Sequence, residues 1–526
     1  MADTSDAQDI ETKTGAQALV ETLADCGVTA CFANPGTSEM HLVVALDHEP
    51  RIHSTLCLFE GVATGAADGF ARIAGGPAMT LLHLGPGYLN GGANIHNARR
   101  ANAPMINVVG DHAVPHRKLD APLASNITGM AAPNSRWIKS ADHPSEAGRL
   151  AAEAFAASYG PAPGPVTLIL PADTAWTNGA AAAPAPMLPG LRQTSAERIA
   201  EAAAAVKAAK KPVILINGNA CLDEGLDAAA RLKAYGVRIL TDTFIGRHAR
   251  GAGRFTPDRM QYFAEAAISD LAGVDLLVLA GTTAPVSFFA YPNTPSELTP
   301  DDAETLSLAG PDGDAAAALR DLADALGAEH AAPAPERADV AMPTGVLSAS
   351  SVGASVARHM PDDSIVSDDG VTSSMGVFLS TADAARHDWL YLTGGAIGQG
   401  MPLAVGAATA RPSAKTICLT GDGAGMYTVQ ALWTMAREKL DVTTIVFVNH
   451  SYRILNVELA RTGAGNPGPA AQSMLSLGGP EIDWVKLSDA QGVPAKLCAT
   501  AEDFDVAFER AMSEPGPHLI AAMVEG

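Results

Sequence analysis

Short apolar runs recur along this chain, and through most of it they alternate with Ala-rich runs of helical pattern. Examples are AMTLLH at 78–83, KPVILINGNA at 211–220, VDLLVLAGTT at 274–283, SIVSDDG at 364–370, TICLTGDG at 416–423 and TTIVFVNH at 443–450. Strands that alternate with helices are joined by crossovers, so the pattern predicts parallel sheets covered by helices. Two Pro/Ala-rich stretches, 179–197 and 327–345, interrupt it and read as linkers. They divide the 526 residues into 1–185, 186–340 and 341–526, in line with roughly 100–200 residues per domain.

Composition narrows the classes of function. The chain holds 50 glycines and only 5% aromatic residues, which suits close helix–sheet packing better than an all-β fold. Its formal net charge of −22 disfavours nucleic acid and anionic membranes, which need clustered Lys and Arg. No apolar run reaches the roughly 18 residues of a membrane span. The opening MADTSDAQDIET is acidic and polar, unlike a signal peptide. Six cysteines without a CxxC pair point to a reduced, cytoplasmic protein.

Within that frame one residue stands out. Asp422 ends an apolar run between Gly421 and Gly423, in LTGDGAGM. Ligands collect at the carboxyl ends of strands in open α/β sheets. A helix is expected over AGMYTVQALWTMAREK, with amides at its start free for a phosphate. Asp422 then reads as a ligand for a hard cation such as Mg²⁺, which combines one or two protein oxygens with substrate phosphates. The next strand ends in Asn449, 27 residues on, whose side-chain oxygen supplies a second ligand, with the Ser451 main chain a third. GDG alone reads equally well as an ordinary Asx turn; the spacing to Asn449 favours a metal and a diphosphate.

GDG followed by Asn at this spacing resembles the thiamine diphosphate motif. The whole chain resembles the acetolactate synthase and benzoylformate decarboxylase family of thiamine enzymes. That resemblance implies three Rossmann-like α/β domains with parallel sheets: pyrimidine-binding, central and diphosphate-binding. It also implies thiamine diphosphate and Mg²⁺ as cofactors, shared across a subunit interface in a homodimer or homotetramer.

Family members activate the cofactor with a Glu that hydrogen-bonds its pyrimidine ring. LCLFEGVATGAADGFARIAG matches that segment and places Glu60 in the role. Taken alone, Glu60 reads equally as a charge at a helix N-terminus. LTGGAIGQGMP at 392–402 resembles the segment beneath the bent cofactor. There Ile397 props the bend, and the Gly395 carbonyl accepts from the pyrimidine amine. Ile397 reads equally as plain core. SDDGVTSS resembles a diphosphate grip, through Gly370 and Thr372. Ala424 departs from relatives, which often carry Ser or Thr after GDG; one hydroxyl to phosphate is lost, and the Gly421 and Gly423 backbone remains.

On the substrate side, HLGPGYLNGG mixes two relatives. Its GPG, taken as a turn, resembles acetolactate synthase. His83 falls where benzoylformate decarboxylase has an active-site His, a group able to move protons; it reads also as a strand-end His bonded to backbone. Asn34, Pro35, Gly36 and Thr37 resemble the decarboxylase, with Thr37 in place of a Ser that touches the substrate carboxylate. Its second active-site His has no counterpart in APVSFFAYP, 284–292. His112 is a further acid/base candidate, and Leu455 and Glu458 are expected over the site. FAD is not expected, since G-x-G-x-x-G is absent from the middle segment.

These features imply decarboxylation of a 2-oxo acid. Carboligation, as in acetolactate synthase, ranks narrowly above simple release of an aldehyde. A 2-hydroxyacyl-CoA or acyloin lyase would need a basic patch that Arg247, Arg250 and Arg254 do not obviously make. An inactive cofactor-binding subunit is disfavoured by the joint presence of Glu60, Asp422 and Asn449.

Overall fold

The computed structural model describes residues 12–160, 162–188 and 190–524. The fold is mixed α/β with three main sheets. The first runs His53–Leu56, Ala30–Asn34, Ala78–Leu82, Met105–Asp111, Pro165–Pro171, Ile138–Ser140, all parallel. A five-stranded parallel sheet follows, in the order Asp258–Arg259, Arg238–Thr241, Pro212–Ile216, Leu276–Ala280, Glu304–Ala309.

The seven-stranded third sheet is centred on Ser364–Asp369, Thr416–Gly421 and Val442–Val448. One of its edges is His248–Arg250, which comes from the middle segment and pairs antiparallel with His387–Leu390. Central strands such as Val442–Val448 are buried along their whole length, as parallel strands covered on both faces must be. All six cysteines are unpaired. No helix among the described residues is long and apolar enough to cross a membrane.

The first and third sheets meet through the helices Glu60–Ala74 and Gly400–Ala410. A Cβ on Gly69 would run into the Leu403 carbonyl, and one on Gly406 into that of Ala66. Glycine inside a helix costs about 0.5–1 kcal/mol relative to Ala. Here it permits backbone-to-backbone approach, and Val62, Ala63, Ala66, Ala67, Met401, Ala404 and Val405 close into one core.

Three local expectations need correction. The run Val28-Thr29-Ala30-Cys31-Phe32 reads as a strand from sequence; the strand is Ala30–Asn34, because Gly27 turns at φ +92° and delays the entry. The apolar run before Glu60 reads from sequence as a strand ending near Phe59-Glu60; the strand ends at Leu56, Cys57 makes one more bond to Ala33, and Glu60 opens a helix. After GDG the chain makes a single turn, Asp422–Gly425, and the longer helix starts only at Ala431. Residues between them bend aside to meet Gly398, whose carbonyl accepts from Thr428 Oγ1 at 2.7 Å.

Candidate active site

Four neighbouring strands of the first sheet bring their carboxyl ends together. Asn34–Thr37 follow one, His83 another, His112 a third, and Glu60 lies beyond the edge strand His53–Leu56. Glu60 is buried as the first residue of its helix and accepts from Asn90 Nδ2 at 3.0 Å. Gly87 keeps the space beside Glu60 Oε1 open, since a Cβ there would lie 3.3 Å away.

His83 is held by a residue the motif comparison did not single out. Glu39, with a fully buried side chain, faces His83 Nδ1 at 2.8 Å. Glu39 also accepts from the Gly36 N–H at 2.7 Å and from Ser38 Oγ. The His83 ring occupies the place where a Cβ on Gly36 would sit, and Glu39 occupies the one beside Gly110. The NPGT glycine is thus required by the His83 ring. A sequence signal existed: Glu three residues after Gly36 at a helix start has capping-box spacing. Thr37 is exposed beside this group. His112 lies against His116 with the rings tilted by 50° and their centroids 5.2 Å apart, and no hydrogen bond joins it to Glu60 or His83 among the described residues.

The stretch LGPGYLNGG is helical, not a turn. It forms the start of Leu84–Arg100. Its glycines answer close neighbours: Gly85 faces Ser125, Gly87 faces Glu60 and Gly91 faces Thr64.

The second group lies at the carboxyl edge of the third sheet. Asp422 accepts from the N–H groups of Gly423 at 2.9 Å, Asn449 at 3.2 Å and His450 at 2.7 Å. Burial raises the Asp422 pKa, and these three donors oppose the rise. Asn449 Oδ1 accepts from Ser451 N at 3.0 Å. Hydrogen bonds therefore join Asp422, Asn449 and Ser451 into one group. Nothing lies within 4 Å of a Cβ built on Gly421, so its face is open, whereas Gly423 leaves room for the Tyr452 ring. Neither glycine has positive φ; space selects Gly423, whereas nothing in the folded chain crowds Gly421. Gly370 and half-buried Thr372 belong to a turn in which Val371 has φ +50°.

A loop connects the two groups. Arg72 pairs with Asp68 through two bonds of 2.6 and 2.8 Å, and its guanidinium donates to Tyr391 O at 2.7 Å and Thr393 Oγ1 at 3.0 Å. Gln399 Nε2 donates to Asp68 at 2.6 Å. Between these anchors Gly395 is exposed with φ +73°, and Ile397 is half-buried rather than core. Phe288, from APVSFFAYP, overhangs Gly395, with its ring 3.1 Å from where a Cβ would be. Glu458 is tied to Tyr291 Oη at 2.7 Å and Arg461 at 3.0 Å, while Leu455 is exposed. Glu60 and His83 make no hydrogen bond to residues 370–372 or 421–451 among the described residues.

The middle-segment arginines serve structure. Arg247 pairs with Asp388, Arg254 with Asp223, and Arg250 lies over the Phe378 ring. A cleft of about 400 Å³ nonetheless opens at the carboxyl ends of the middle strands, beside Asn217, Asp242 and Gly281. Its basic wall comes from the first segment: Arg99, Arg100 and Arg136.

Known proteins match this chain along most of its length. Residues 13–132 match the thiamine pyrophosphate enzyme N-terminal TPP binding domain, and residues 368–522 the corresponding C-terminal TPP binding domain. A Mycobacterium tuberculosis relative named "Putative acetolactate synthase large subunit IlvX" is 49% identical over 512 residues, 97% of this chain and 99% of that protein. Benzoylformate decarboxylase of Pseudomonas aeruginosa is 26% identical over 538 residues, covering 97% and 98%. In fold, the chain superimposes on a Rhodococcus jostii thiamine diphosphate-dependent 4-hydroxybenzoylformate decarboxylase with TM-score 0.85 and 23% identity, covering 98% and 99%.

Proposed function

The chain belongs to the thiamine pyrophosphate enzyme family, and from that premise we propose that it decarboxylates a 2-oxo acid with thiamine diphosphate and Mg²⁺ and releases an aldehyde. The Glu39–His83 pair carries this reading. A carboxylate on Nδ1 fixes the ring and leaves Nε2 to exchange a proton with substrate.

Asp422, Asn449 and the Ser451 main chain would hold Mg²⁺, because all three offer hard oxygen donors. Gly370, Thr372, Gly421, Gly423 and Ala424 would line the diphosphate, Gly395 and Ile397 the bend, and Glu60 the pyrimidine nitrogen. Asn34, Pro35 and Gly36 would line the pyrimidine side, with Thr37 toward the substrate carboxylate. Bound thiamine diphosphate supplies the electron sink for loss of CO₂.

Glu60 and Asp422 occupy separate groups within one chain. Two copies would complete each site, as a cofactor shared at a subunit interface requires. Exposed apolar Leu58, Leu89, Val371, Met375, Leu379 and Tyr427 flank the two groups in sequence and offer a surface for such a contact.

Carboligation is the second reading, favoured by the name of the 49% identical relative. The sequence feature that leaned the same way, a GPG turn, is the start of a helix. The basic wall of the middle cleft is what an acyl-CoA lyase reading would use.

The test is incubation of the full chain with Mg²⁺, thiamine diphosphate and a panel of 2-oxo acids, with CO₂ and products followed by NMR and Glu60→Gln as control. Aldehyde as sole product supports the proposal. An acyloin or acetolactate replaces it with carboligation. No CO₂ from any acid overturns both and turns attention to acyl-CoA substrates.

A further inference from the structure

The segment Gly394–Ile397 cannot be held by sheet hydrogen bonds. It lies past the strand His387–Leu390 and turns through positive φ at Gly395, +73°, and again at Gly398, +91°. Its flanks are secured: Arg72 reaches Tyr391 and Thr393, and Asp369 Oδ2 accepts from the N–H groups of Gly398 at 2.8 Å and Gly400 at 3.2 Å. The centre depends on one helix of the first segment, Leu84–Arg100.

Asn97 is fully buried on that helix. Asparagine is a poor helix former, and a buried amide is costly unless every polar atom is used. Here every one is. Asn97 Nδ2 donates to Ala396 O at 2.9 Å and to Asn94 Oδ1 at 3.0 Å. Asn97 Oδ1 accepts from Ala396 N at 3.2 Å. The side chain thus pairs with both peptide groups of Ala396, as a neighbouring strand would. The Asn97 carbonyl also accepts from Thr393 Oγ1 at 2.8 Å, and Gly394 is a glycine whose Cβ would meet Asn97 Oδ1. Asn94, one helical turn earlier, donates to Gly61 O at 2.7 Å. An unbroken path therefore runs from the peptide beside Glu60, through Asn94 and Asn97, to the residue between Gly395 and Ile397.

We propose that Asn97 is the positioning residue of the 394–397 turn, setting where Gly395 and Ile397 stand relative to thiamine diphosphate. The inference rests on the reading that this turn lies beneath the cofactor. Asn97 touches neither substrate nor cofactor; it acts through Ala396.

The experiment uses the full chain with Mg²⁺ and two variants, Asn97→Ala and Asn97→Asp. Asn97→Asp still accepts from Ala396 N but has at most one donor where the amide has two, so shape is kept and the donor pair to Ala396 O and Asn94 Oδ1 is lost. Titration calorimetry measures affinity for thiamine diphosphate and, separately, for inorganic pyrophosphate. Circular dichroism reads the bound cofactor, and hydrogen exchange reads residues 393–398 in cofactor-free protein. Thiamine diphosphate is expected to bind about tenfold more weakly, the scale of a lost buried hydrogen-bond pair, with pyrophosphate unchanged within about twofold. The dichroism of bound cofactor changes and exchange at 394–397 quickens. Unchanged thiamine diphosphate binding, or equal weakening of both ligands, overturns the proposal.

Ile397→Ala separates the two levels. If it leaves cofactor affinity and dichroism untouched, the turn is not beneath the cofactor and the underlying reading fails. If it weakens binding while the Asn97 variants do not, only the positioning role fails.

Discussion

The two groups of the candidate site solve opposite problems. In the first, Glu60 is a buried carboxylate with one side-chain donor, Asn90, while its neighbour Glu39 is occupied by Gly36, Ser38 and His83. In the second, the single acid Asp422 gathers three backbone N–H groups from two strand ends. The first keeps an acid with acceptor capacity to spare and a histidine whose Nδ1 is held by a buried carboxylate. The second uses its acid to shape backbone around an oxygen site. Chemistry should therefore depend on side-chain identity in the first group, and ligand retention on the second.

The sharpest way to break that contrast is Glu60→Gln. Turnover is expected to fall by roughly 10²–10⁴-fold, the range for a lost acid–base group, with cofactor affinity by calorimetry nearly unchanged. A comparable loss of affinity would merge the two roles. Asp422→Ala should do the reverse, weakening Mg²⁺-dependent cofactor binding by about 100-fold, with activity recovering as cofactor is raised. Turnover that stays low at saturating cofactor would give Asp422 a chemical part.

A third variant sharpens the comparison through pH. Burial pushes the Asp369 carboxyl up to about 7, against the N–H groups of Gly400 and Gly398. Its unfolded value is near 3.8. Such a group contributes stability that is complete below pH about 4 and is lost as pH rises through about 7. Asp369→Asn removes that loss. In urea unfolding of cofactor-free protein, the variant should gain on the native chain as pH rises from about 4 to about 7, by about 1.4 kcal/mol per pH unit, and gain no more above that. A gap independent of pH would show that Asp369 is ionised in the fold.

The smallest effect concerns Ala424, which is buried in the turn Asp422–Gly425. Ala424→Ser restores a hydroxyl and should tighten thiamine diphosphate binding by about two- to tenfold. Weaker binding would mean that the pocket lacks room for it.

Much of this was legible in the chain itself. The strands Ser364–Asp369, Thr416–Gly421 and Val442–Val448 read clearly because buried parallel strands are continuous apolar runs. Asp422 and Asn449 read clearly because a polar residue ending such a run needs a reason. Glycines misled. GPG looked like a turn, yet Gly85, Gly87 and Gly91 are helical residues that make room for Ser125, Glu60 and Thr64. A linear sequence does not reveal which distant side chain presses on a glycine. Asn97 and the arginines of the middle cleft were hidden for the same reason, and at Glu39 the capping-box spacing marks a helix start without revealing His83. The short strand His248–Arg250 carries no periodic signal at three residues.

That strand has a consequence for how the protein can be divided. It covers the rim of the sheet next to His387–Leu390. A fragment cut at residue 341 would leave that rim bare, with unpaired amides and carbonyls ready to recruit another chain. During synthesis the strand emerges well before its partner and must wait for it. The middle third is thus a clasp as well as a spacer, and the last third reaches its finished shape only in the company of the residues that precede it.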